Sequence, residues 1–254
     1  MLSITKIQEK LTGQWIGKKI KYYSELNSTN KKAWELITTA AQAGTVVITD
    51  NQTEGRGRGG RLWESSPGKG LTFTIILYPG INAELAGIYP LLTGLALIEA
   101  LAVFKVIAKL KWPNDIILGG KKLGGILCES KLAGLKLNQL IIGIGLNINE
   151  PEFQQGLKAA ATSLFMETGL YFDREKVLAE ILNRLESNLH EFNKNGQEII
   201  LKTWEKHCFH LKEEISFHYG DNIIKGKFMG LGSGGAAKIK TRDRELYFPS
   251  GEII

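Results

Sequence analysis

The sequence has few residues of the kinds that build metal centres and covalent nucleophile sites. Its two cysteines, Cys128 and Cys208, lie far apart and form no CxxC pair. This argues against a structural zinc site or a disulfide framework, and we expect both thiols to be reduced and structural. Histidine is also sparse, and every histidine falls in the C-terminal third of the chain: His190, His207, His210 and His218. Ser–His or Cys–His catalysis and zinc hydrolysis are therefore disfavoured.

Several familiar signatures are also missing. The chain has no Walker P-loop, no GxSxG elbow and no HExxH motif. No stretch approaches the ~20 uninterrupted apolar residues of a membrane span. The first residues, Met1 to Lys6, lack a signal-peptide pattern. We therefore expect a cytoplasmic protein without a membrane anchor.

The composition is that of an ordinary globular chain. The 254 residues are 43% hydrophobic and 23% charged, which argues against a long disordered tail. The formal net charge of +6 suits an anionic ligand or partner. Because the lysines are scattered along the whole chain, the charge alone is weak evidence for nucleic-acid binding.

Hydrophobic periodicity predicts a mixed sheet backed by helices in the first 200 residues. The expected helices cover 5–11, a segment begun by Asn27-Ser28-Thr29 and ended at Gly44, Leu85–Phe104, and a helical pair within 173–206. The expected strands cover 19–23, 45–50, Leu71–Tyr78, Ile107–Trp112, Lys122–Ser130 and Gln139–Asn147, with a hairpin turn at Gly119-Gly120.

From about Leu211 the pattern changes to short strands broken by glycines. They cover Glu214–Tyr219, Ile223–Leu231, Ala236–Thr241 and Glu245–Pro249, the size and pattern of a small β-barrel. The predicted class is α+β, with one domain over residues 1–208 and a second over 209–254.

An arginine-glycine segment follows the predicted strand 45–50. Gly55-Arg56-Gly57-Arg58-Gly59-Gly60-Arg61 leads directly into Leu62-Trp63. Guanidinium groups hold phosphate bidentately, glycines let backbone N–H groups approach closely, and an indole offers a face to a base. We call residues 55–64 the arginine loop. Its composition predicts that it binds a planar ligand that bears phosphate.

Two other interpretations of this loop need weighing. Its glycines match GxGxxG, but a Rossmann fingerprint must open a helix, and Trp63-Glu64-Ser65-Ser66-Pro67-Gly68 cannot continue one. A basic RGG-type surface loop that binds RNA or DNA is the remaining alternative. That alternative predicts an affinity that falls steeply with salt, and it leaves the next motifs unexplained.

Two further segments carry polar groups next to apolar strands. Lys111-Trp112-Pro113-Asn114-Asp115 is either an ordinary β-turn or a turn that directs its side chains into a cleft. In Lys122-Leu123-Gly124-Gly125-Ile126-Leu127 a lysine enters an apolar strand beside a double glycine. Such a lysine can neutralise a phosphate or a carboxylate, and the glycines leave backbone open to a ligand.

Two last segments have both a structural and a functional interpretation. Gly143-Ile144-Gly145-Leu146-Asn147 is a core strand packed close to a helix, or a strand that exposes backbone and an amide to a ligand. Ser28-Thr29-Asn30 is a helix N-cap, and a helix start with two hydroxyls is also a site for a polar ligand.

Taken in order, these five segments resemble the biotin protein ligases, over about residues 20 to 195, with a tail similar to that family's SH3-like C-terminal domain. Two departures stand out. Many members have a further arginine where this chain has Gly59. The repressor-type bacterial members begin with a DNA-binding helix-turn-helix, for which there is no room before Lys18, so specific DNA binding is not expected.

The resemblance implies a class II synthetase-like catalytic domain and a two-step reaction. Biotin and MgATP would give biotinyl-5′-adenylate, and a lysine of a biotin carboxyl carrier protein would then attack it. Biotin and ATP are thus the expected substrates, with Mg²⁺ as the metal, and homodimerisation is possible. A lipoate protein ligase shares this chemistry, but the arginine loop and the Lys111–Asp115 segment favour biotin.

The resemblance also implies roles for individual residues. Arg58, Lys122 and Asp115 are the implied catalytic residues, with Asp115 orienting a metal, the adenylate or the attacking lysine. The implied biotin-binding residues are Ser28, Thr29, Asn30, Gln52, Gly55, Arg56, Gly57, Arg58, Lys122, Gly124 and Gly125. The implied ATP and adenylate residues are Arg58, Arg61, Trp63, Asn114, Lys122 and Asn147. The arginine loop is expected to close over the adenylate and exclude water.

Overall fold

The fold was determined from a computed structural model, which describes residues 1–64, 66–154, 156 and 160–254. Ser65, part of the segment that argued against a Rossmann helix, lies outside the described residues. An eight-stranded sheet forms the centre of the molecule. Its strands are β1 (Ile20–Leu26), β2 (Val46–Gln52), β3 (Leu71–Leu77), β4 (Ile81–Asn82), β5 (Lys109–Lys111), β6 (Asp115–Leu118), β7 (Lys121–Ala133) and β8 (Lys136–Leu146).

The spatial order of this sheet is β1-β2-β3-β8-β7-β6-β5, and the short β4 pairs with β8. β1 and β2 are parallel, whereas all the other neighbours are antiparallel. The predicted mixed sheet is therefore confirmed. The order brings the end of β2 and the start of β3 beside the first half of β7 and the end of β8.

Alternating apolar side chains give the sheet two buried faces. Val46 and Ile48 point to the main core and Val47 to a smaller second core, as the two-residue period of a strand requires. Helix α2 (Thr29–Thr38) covers the smaller core. The other helices are α1 (Ile4–Gln8), α3 (Ile88–Val103), α4 (Leu164–Thr168), α5 (Arg174–Asn195) and α6 (Gln197–Lys206).

The most apolar helical segment, Ala83–Val103, is long and apolar enough to cross a membrane by length and composition alone. Two thirds of its most hydrophobic window, 67%, is buried inside the protein. Leu92, Ala96 and Leu101 of α3 are fully buried in the main core. This helix therefore serves as the central core helix of the fold.

The C-terminal strands form a separate five-stranded antiparallel sheet. Its strands are β9 (Glu214–Tyr219), β10 (Asn222–Leu231), β11 (Ala237–Lys240), β12 (Glu245–Phe248) and β13 (Glu252–Ile253), in the order β12-β11-β10-β9-β13. The small all-β unit is thus confirmed, while the division at 208/209 stays a prediction. Trp112 joins the two sheets, since its Nε1 donates to the Gly235 carbonyl at 3.0 Å and its ring packs on Phe217.

The structure corrects several predicted boundaries. Helix α2 ends at Thr38 and not at Gly44, because Ala40 adopts a positive φ of 57° and turns the chain back toward the sheet. Strand β6 was not predicted, since the Lys111–Asp115 segment is a tight turn that joins β5 to β6 directly. The predicted Gly119-Gly120 turn is confirmed, with φ of 57° and 77°.

Candidate active site

A cavity of about 270 Å³ lies at the ends of β2 and β8, beside the first half of β7 and the Lys111–Asp115 turn. Most of the side chains singled out from the sequence line it. These are Ser28, Thr29, Asn30, Gln52, Arg56, Gly57, Arg58, Arg61, Trp63, Asn114, Asp115, Lys122, Gly125 and Asn147. One cavity thus collects residues from all five sequence motifs.

Two predicted biotin-binding glycines do not line this cavity. A Cβ on Gly55 would lie 2.2 Å from the Trp63 carbonyl oxygen, so this glycine lets the two ends of the arginine loop approach. A Cβ on Gly124 would lie 2.7 Å from the Gly145 carbonyl oxygen, so that glycine lets β7 and β8 pair closely. The double glycine therefore exposes backbone to the cavity at Gly125 and not at Gly124.

One end of the cavity is polar and buried. Ser28 caps α2, and its Oγ accepts from the Lys31 backbone N–H at 3.5 Å, which confirms the predicted N-cap. The Thr29 backbone N–H donates to Gln52 Oε1 at 2.9 Å. Thr74 Oγ1 lies 2.8 Å from Thr29 Oγ1 and 2.7 Å from Asn30 Oδ1. We call this cluster the hydroxyl–amide end.

An ion pair stands near the middle of the cavity. Lys122 Nζ lies 2.6 Å from Asp115 Oδ1, across the neighbouring strands β7 and β6. Both backbone groups of Lys122 are bonded to the segment that follows β8: its N–H to the Ala160 carbonyl at 2.8 Å and its carbonyl to the Thr162 N–H at 2.9 Å. A Cβ on Gly125 would come within 3.3 Å of Lys122 Cε, so glycine leaves room for the lysine.

The Lys111–Asp115 turn holds its shape through Asn114. Asn114 Nδ2 donates to the Ile126 carbonyl at 2.7 Å, and the Ile126 N–H donates to the Asn114 carbonyl at 2.9 Å. The peptide bond between Trp112 and Pro113 is cis. The two interpretations of this motif are therefore both correct. The segment is a β-turn, and its residues line the cavity.

The other end of the cavity is cationic, and its arginines contact the C-terminal sheet. Arg61 makes a bidentate ion pair with Glu252 of β13, with both N–O distances 2.6 Å. These hydrogen bonds raise the pKa of Arg61 and lower that of Glu252. Arg58 Nη1 donates to the Gly251 carbonyl, and burial lowers the pKa of Arg58 from its ordinary value.

The arginine loop itself folds into a small hairpin. The Trp63 N–H donates to the Gly55 carbonyl at 2.9 Å, and the Gly57 N–H donates to the Arg61 carbonyl at 2.6 Å. Its tip is left-handed, with φ of 67° at Gly59 and 77° at Gly60. Such φ values favour glycine, which gives a physical reason for the residue at position 59.

Trp63 leans across the cavity onto β8. A Cβ on Gly145 would lie 2.3 Å from Trp63 Cε2, so the indole rests directly on that glycine. Trp63 Nε1 is buried and has no hydrogen-bond partner among the described residues, and the same is true of Asn147 Oδ1. Buried polar atoms are rarely left unpaired, so a donor and an acceptor are open to a ligand at this end.

Sequence reasoning missed the partners of several site residues. Glu252 and Gly251 contact the arginine loop from a strand that lies far away in the sequence, and no local signal could have identified them. Thr74 was recognisable only as an alternating strand residue. No cluster of three His, Cys, Asp or Glu side chains that could cage a metal occurs within the described part of the chain.

Comparison with known proteins tests this assembly of residues. The model of the biotin/lipoate A/B protein ligase family matches residues 22–147, which contain the five motifs up to Asn147. A bifunctional ligase/repressor BirA from Bacillus spizizenii is 32% identical over 99% of this chain and 79% of its own length. The chain belongs to the biotin protein ligase family. A biotin–[acetyl-CoA-carboxylase] ligase from Paracoccus denitrificans is 30% identical over 90% of this chain and 97% of its own.

A solved structure extends the likeness to the whole fold. The biotin protein ligase from Aquifex aeolicus, in complex with biotin and ATP, superposes with a TM-score of 0.82 and 34% identity. The superposition covers 93% of this chain and 98% of that one. The predicted family and fold class are therefore confirmed. Glu252 of the C-terminal sheet also lines the cavity, although it lies outside the segment that the family model matches. The C-terminal sheet therefore completes the cavity of this biotin protein ligase.

Proposed function

We propose that this chain is an ATP-dependent biotin protein ligase with two half-reactions in the cavity described above. In the first, a biotin carboxylate oxygen attacks the α-phosphorus of ATP, and pyrophosphate leaves. In the second, the amine of an acceptor lysine attacks the carbonyl of biotinyl-5′-adenylate, loses a proton, and expels AMP. The observation that carries this proposal is a single cavity with a buried hydroxyl–amide end and a cationic end, joined by Lys122.

The hydroxyl–amide end suits the cyclic urea of biotin. That ring presents two N–H donors and one carbonyl acceptor, so its recognition needs both acceptors and donors in a desolvated site. Ser28, Thr29 and Asn30 are all less than 10% exposed, and Gln52 lies beside them. We assign these residues to the urea, with Arg56 and the backbone of Gly57 and Gly125 along the rest of biotin.

We assign charge neutralisation at the reacting centre to Lys122 and Arg58. A carboxylate and a phosphate must approach each other although both are anions, so cations between them lower the barrier. Lys122 Nζ is held at 2.6 Å from Asp115, which fixes its position on the cavity wall. The resemblance leaves three roles open for Asp115. This contact favours a different and more local role, in which Asp115 positions Lys122.

The cationic end suits the nucleotide. Arg58 and Arg61 can pair with phosphate oxygens, Trp63 offers an indole face to adenine, and Asn147 Oδ1 is an acceptor without a partner among the described residues. Asn114 lines the same wall. Its Nδ2 is already bonded to Ile126, so its contribution to ATP binding would be through turn geometry.

Magnesium fits this site as part of the substrate. Mg²⁺ is commonly held by one or two carboxylates together with substrate phosphates, and it keeps several waters. The cavity is lined by Glu64, Asp115 and Glu252, of which the last two are each paired with a cation of the chain. No carboxylate cage occurs among the residues that the structure describes. We therefore propose that Mg²⁺ enters with ATP and that phosphate oxygens and waters supply most of its ligands.

The acceptor is proposed to be a lysine of a biotin carrier protein. The name of the Paracoccus relative supports the carrier of acetyl-CoA carboxylase. Homodimerisation and the absence of specific DNA binding remain predictions from the resemblance.

The decisive experiment is ATP-dependent transfer of labelled biotin to a purified carrier domain. Wild type should label the carrier, whereas Lys122→Ala and Arg58→Ala should each reduce the rate at least a hundredfold, on the order of 3 kcal/mol of lost charge stabilisation. Lys121→Ala is a matched control, because Lys121 is the neighbouring lysine of β7 and does not line the cavity.

No transfer by wild type would refute the function, and unchanged rates in both variants would refute the assigned roles. Lipoic acid is the competing substrate and is run in parallel. A thermal shift with biotin and none with lipoic acid at equal concentration is expected, because only a specific ligand stabilises the folded state.

A further inference from the structure

The hydrogen bonds of the hydroxyl–amide end continue beyond the cavity to a carboxylate on the face of the sheet that α2 covers. Asn30 Nδ2 donates to Glu129 Oε1 at 2.9 Å. Trp34, one turn further along α2, donates its Nε1–H to Glu129 Oε2 at 2.8 Å. Each carboxylate oxygen thus has its own donor, and Glu129 itself does not line the cavity.

This carboxylate sets the direction of the hydrogen bonds behind it, and the Leu127 carbonyl, 3.4 Å from Asn30 Nδ2, supports the same orientation of the amide. An ionised carboxylate only accepts, so the amide nitrogen of Asn30 must face Glu129 and its Oδ1 must face inward. Thr74 Oγ1 lies 2.7 Å from that Oδ1 and therefore gives its single proton to Asn30. The Thr74 oxygen is then left as an acceptor.

The same constraint on hydrogen-bond direction extends to Thr29, which lines the cavity. Thr29 Oγ1 lies 2.8 Å from Thr74 Oγ1, and only Thr29 has a proton left for this contact. Gln52 Oε1 also lies within reach of this hydroxyl, at 3.2 Å, but that contact is longer than the one to Thr74, and Gln52 Oε1 already accepts the Thr29 backbone N–H at 2.9 Å. The hydroxyl of Thr29 is therefore committed as a donor to Thr74, and its two lone pairs are left to accept from a donor in the cavity.

We propose that Glu129 is a positioning residue that makes Thr29 Oγ1 a hydrogen-bond acceptor for an N–H group of the ligand. This inference rests on the proposed function, because the cyclic urea of biotin supplies such N–H donors. A dithiolane ring has no N–H, so the same polarity would select against lipoic acid. A site that must accept from a ligand loses much of its affinity for an analogue without the donor.

The chain offers an isosteric variant that reverses this polarity. In Glu129→Gln, the Trp34 Nε1–H can only donate, so the new amide oxygen stays with Trp34 and the new NH₂ group faces Asn30. Asn30 must then turn its amide and donate to Thr74. The proton of Thr74 moves to the Thr29 side and occupies one lone pair of Thr29. The proton of Thr29 is then released and turns away from Thr74, which weakens Thr29 as an acceptor for the ligand.

We expect Glu129→Gln to raise the KM for biotin at least tenfold while the KM for ATP stays within twofold. Biotin binding without ATP, measured by calorimetry, should weaken by the same factor. Thermal melting of the free protein separates this effect from misfolding. Glu35→Gln is the control, since Glu35 lies on α2, the helix that carries Asn30 and Trp34, in an exposed pair with Lys32.

A second substitution should rescue the first. Trp34→Phe removes the donor that fixes the new amide, so in Trp34→Phe/Glu129→Gln the amide can rotate and present its oxygen to Asn30. We expect the biotin KM of the double variant to return to within threefold of wild type, which simple loss of packing would not produce. A wild-type biotin KM in Glu129→Gln, or a double variant as weak as Glu129→Gln, would overturn the inference. No biotin transfer by wild type would instead refute the proposed function.

Discussion

The two ends of the cavity are built in opposite ways. At the hydroxyl–amide end, the polar atoms of Thr29, Asn30 and Thr74 are buried and bonded to one another. At the cationic end, Trp63 Nε1 and Asn147 Oδ1 are buried without partners among the described residues. The arginines of that end are bonded to Glu252 and Gly251 of the C-terminal sheet, in positions that phosphate oxygens would compete for.

This difference predicts that one end of the cavity binds its ligand without moving, whereas the other end rearranges. A buried network of fixed polarity keeps its geometry before the ligand arrives, so binding costs little reorganisation. An exposed ion pair contributes only about 0–1 kcal/mol, so a phosphate can displace it at small cost. We infer that the hydroxyl–amide end is preorganised and that the cationic end reorganises when the nucleotide binds.

Among the tests of this contrast between the two ends, the largest effect is expected from Gly143→Ala, on β8 behind the hydroxyl–amide end. The added Cβ would lie 2.3 Å from Asn30 Oδ1, and Asn30 is held in place by Glu129 and Thr74. Forcing this amide away leaves buried polar groups unpaired, at about 1–3 kcal/mol each. We expect biotin affinity to fall tenfold to a hundredfold, as measured by calorimetry, together with a lower melting temperature.

The ATP KM of this variant, measured at saturating biotin, should stay within twofold of wild type. Unchanged biotin affinity would mean that the hydroxyl–amide end can move, and the contrast between the two ends would then fail.

Much of this architecture could be predicted from the sequence, because helix caps, turns and strand periodicity depend on residues that are close together in the chain. The Ser28 N-cap, the Gly119-Gly120 turn and the strands near β7 and β8 follow from residue type and period. The five motifs were predicted to form one site through the resemblance to the biotin protein ligases, and the order of the sheet is the physical reason that they meet. The contacts of Glu252 with Arg61 and of Glu129 with Asn30 could not be predicted, since each depends on which distant strands become neighbours.

Gly145→Ala is the matched test at the cationic end, and its effect should be smaller. The new Cβ would meet the Trp63 indole at 2.3 Å, as closely as the Gly143 substitution meets Asn30. Trp63 belongs to the arginine loop, so it can swing away. We expect a free energy of unfolding within about 0.5 kcal/mol of wild type, an ATP KM raised about threefold to tenfold, and an unchanged biotin KM.

A double-mutant cycle shows whether Trp63 carries this effect. In a Trp63→Ala background the added methyl group meets no indole, so Gly145→Ala should change the ATP KM by less than twofold. A large drop in stability of Gly145→Ala would show instead that the loop is as rigid as the hydroxyl–amide end.

The smallest effect is expected from Glu252→Gln, which removes the charge that holds Arg61. Because the pair is largely exposed, its loss is worth at most about 1 kcal/mol, or roughly fivefold in affinity. If Glu252 competes with the triphosphate for Arg61, the ATP KM should fall twofold to fivefold at low salt, with the biotin KM unchanged. The difference should shrink as salt screens the exposed charges. A higher ATP KM would mean that Glu252 holds Arg61 in its nucleotide-binding position, and the cationic end would then be preorganised as well.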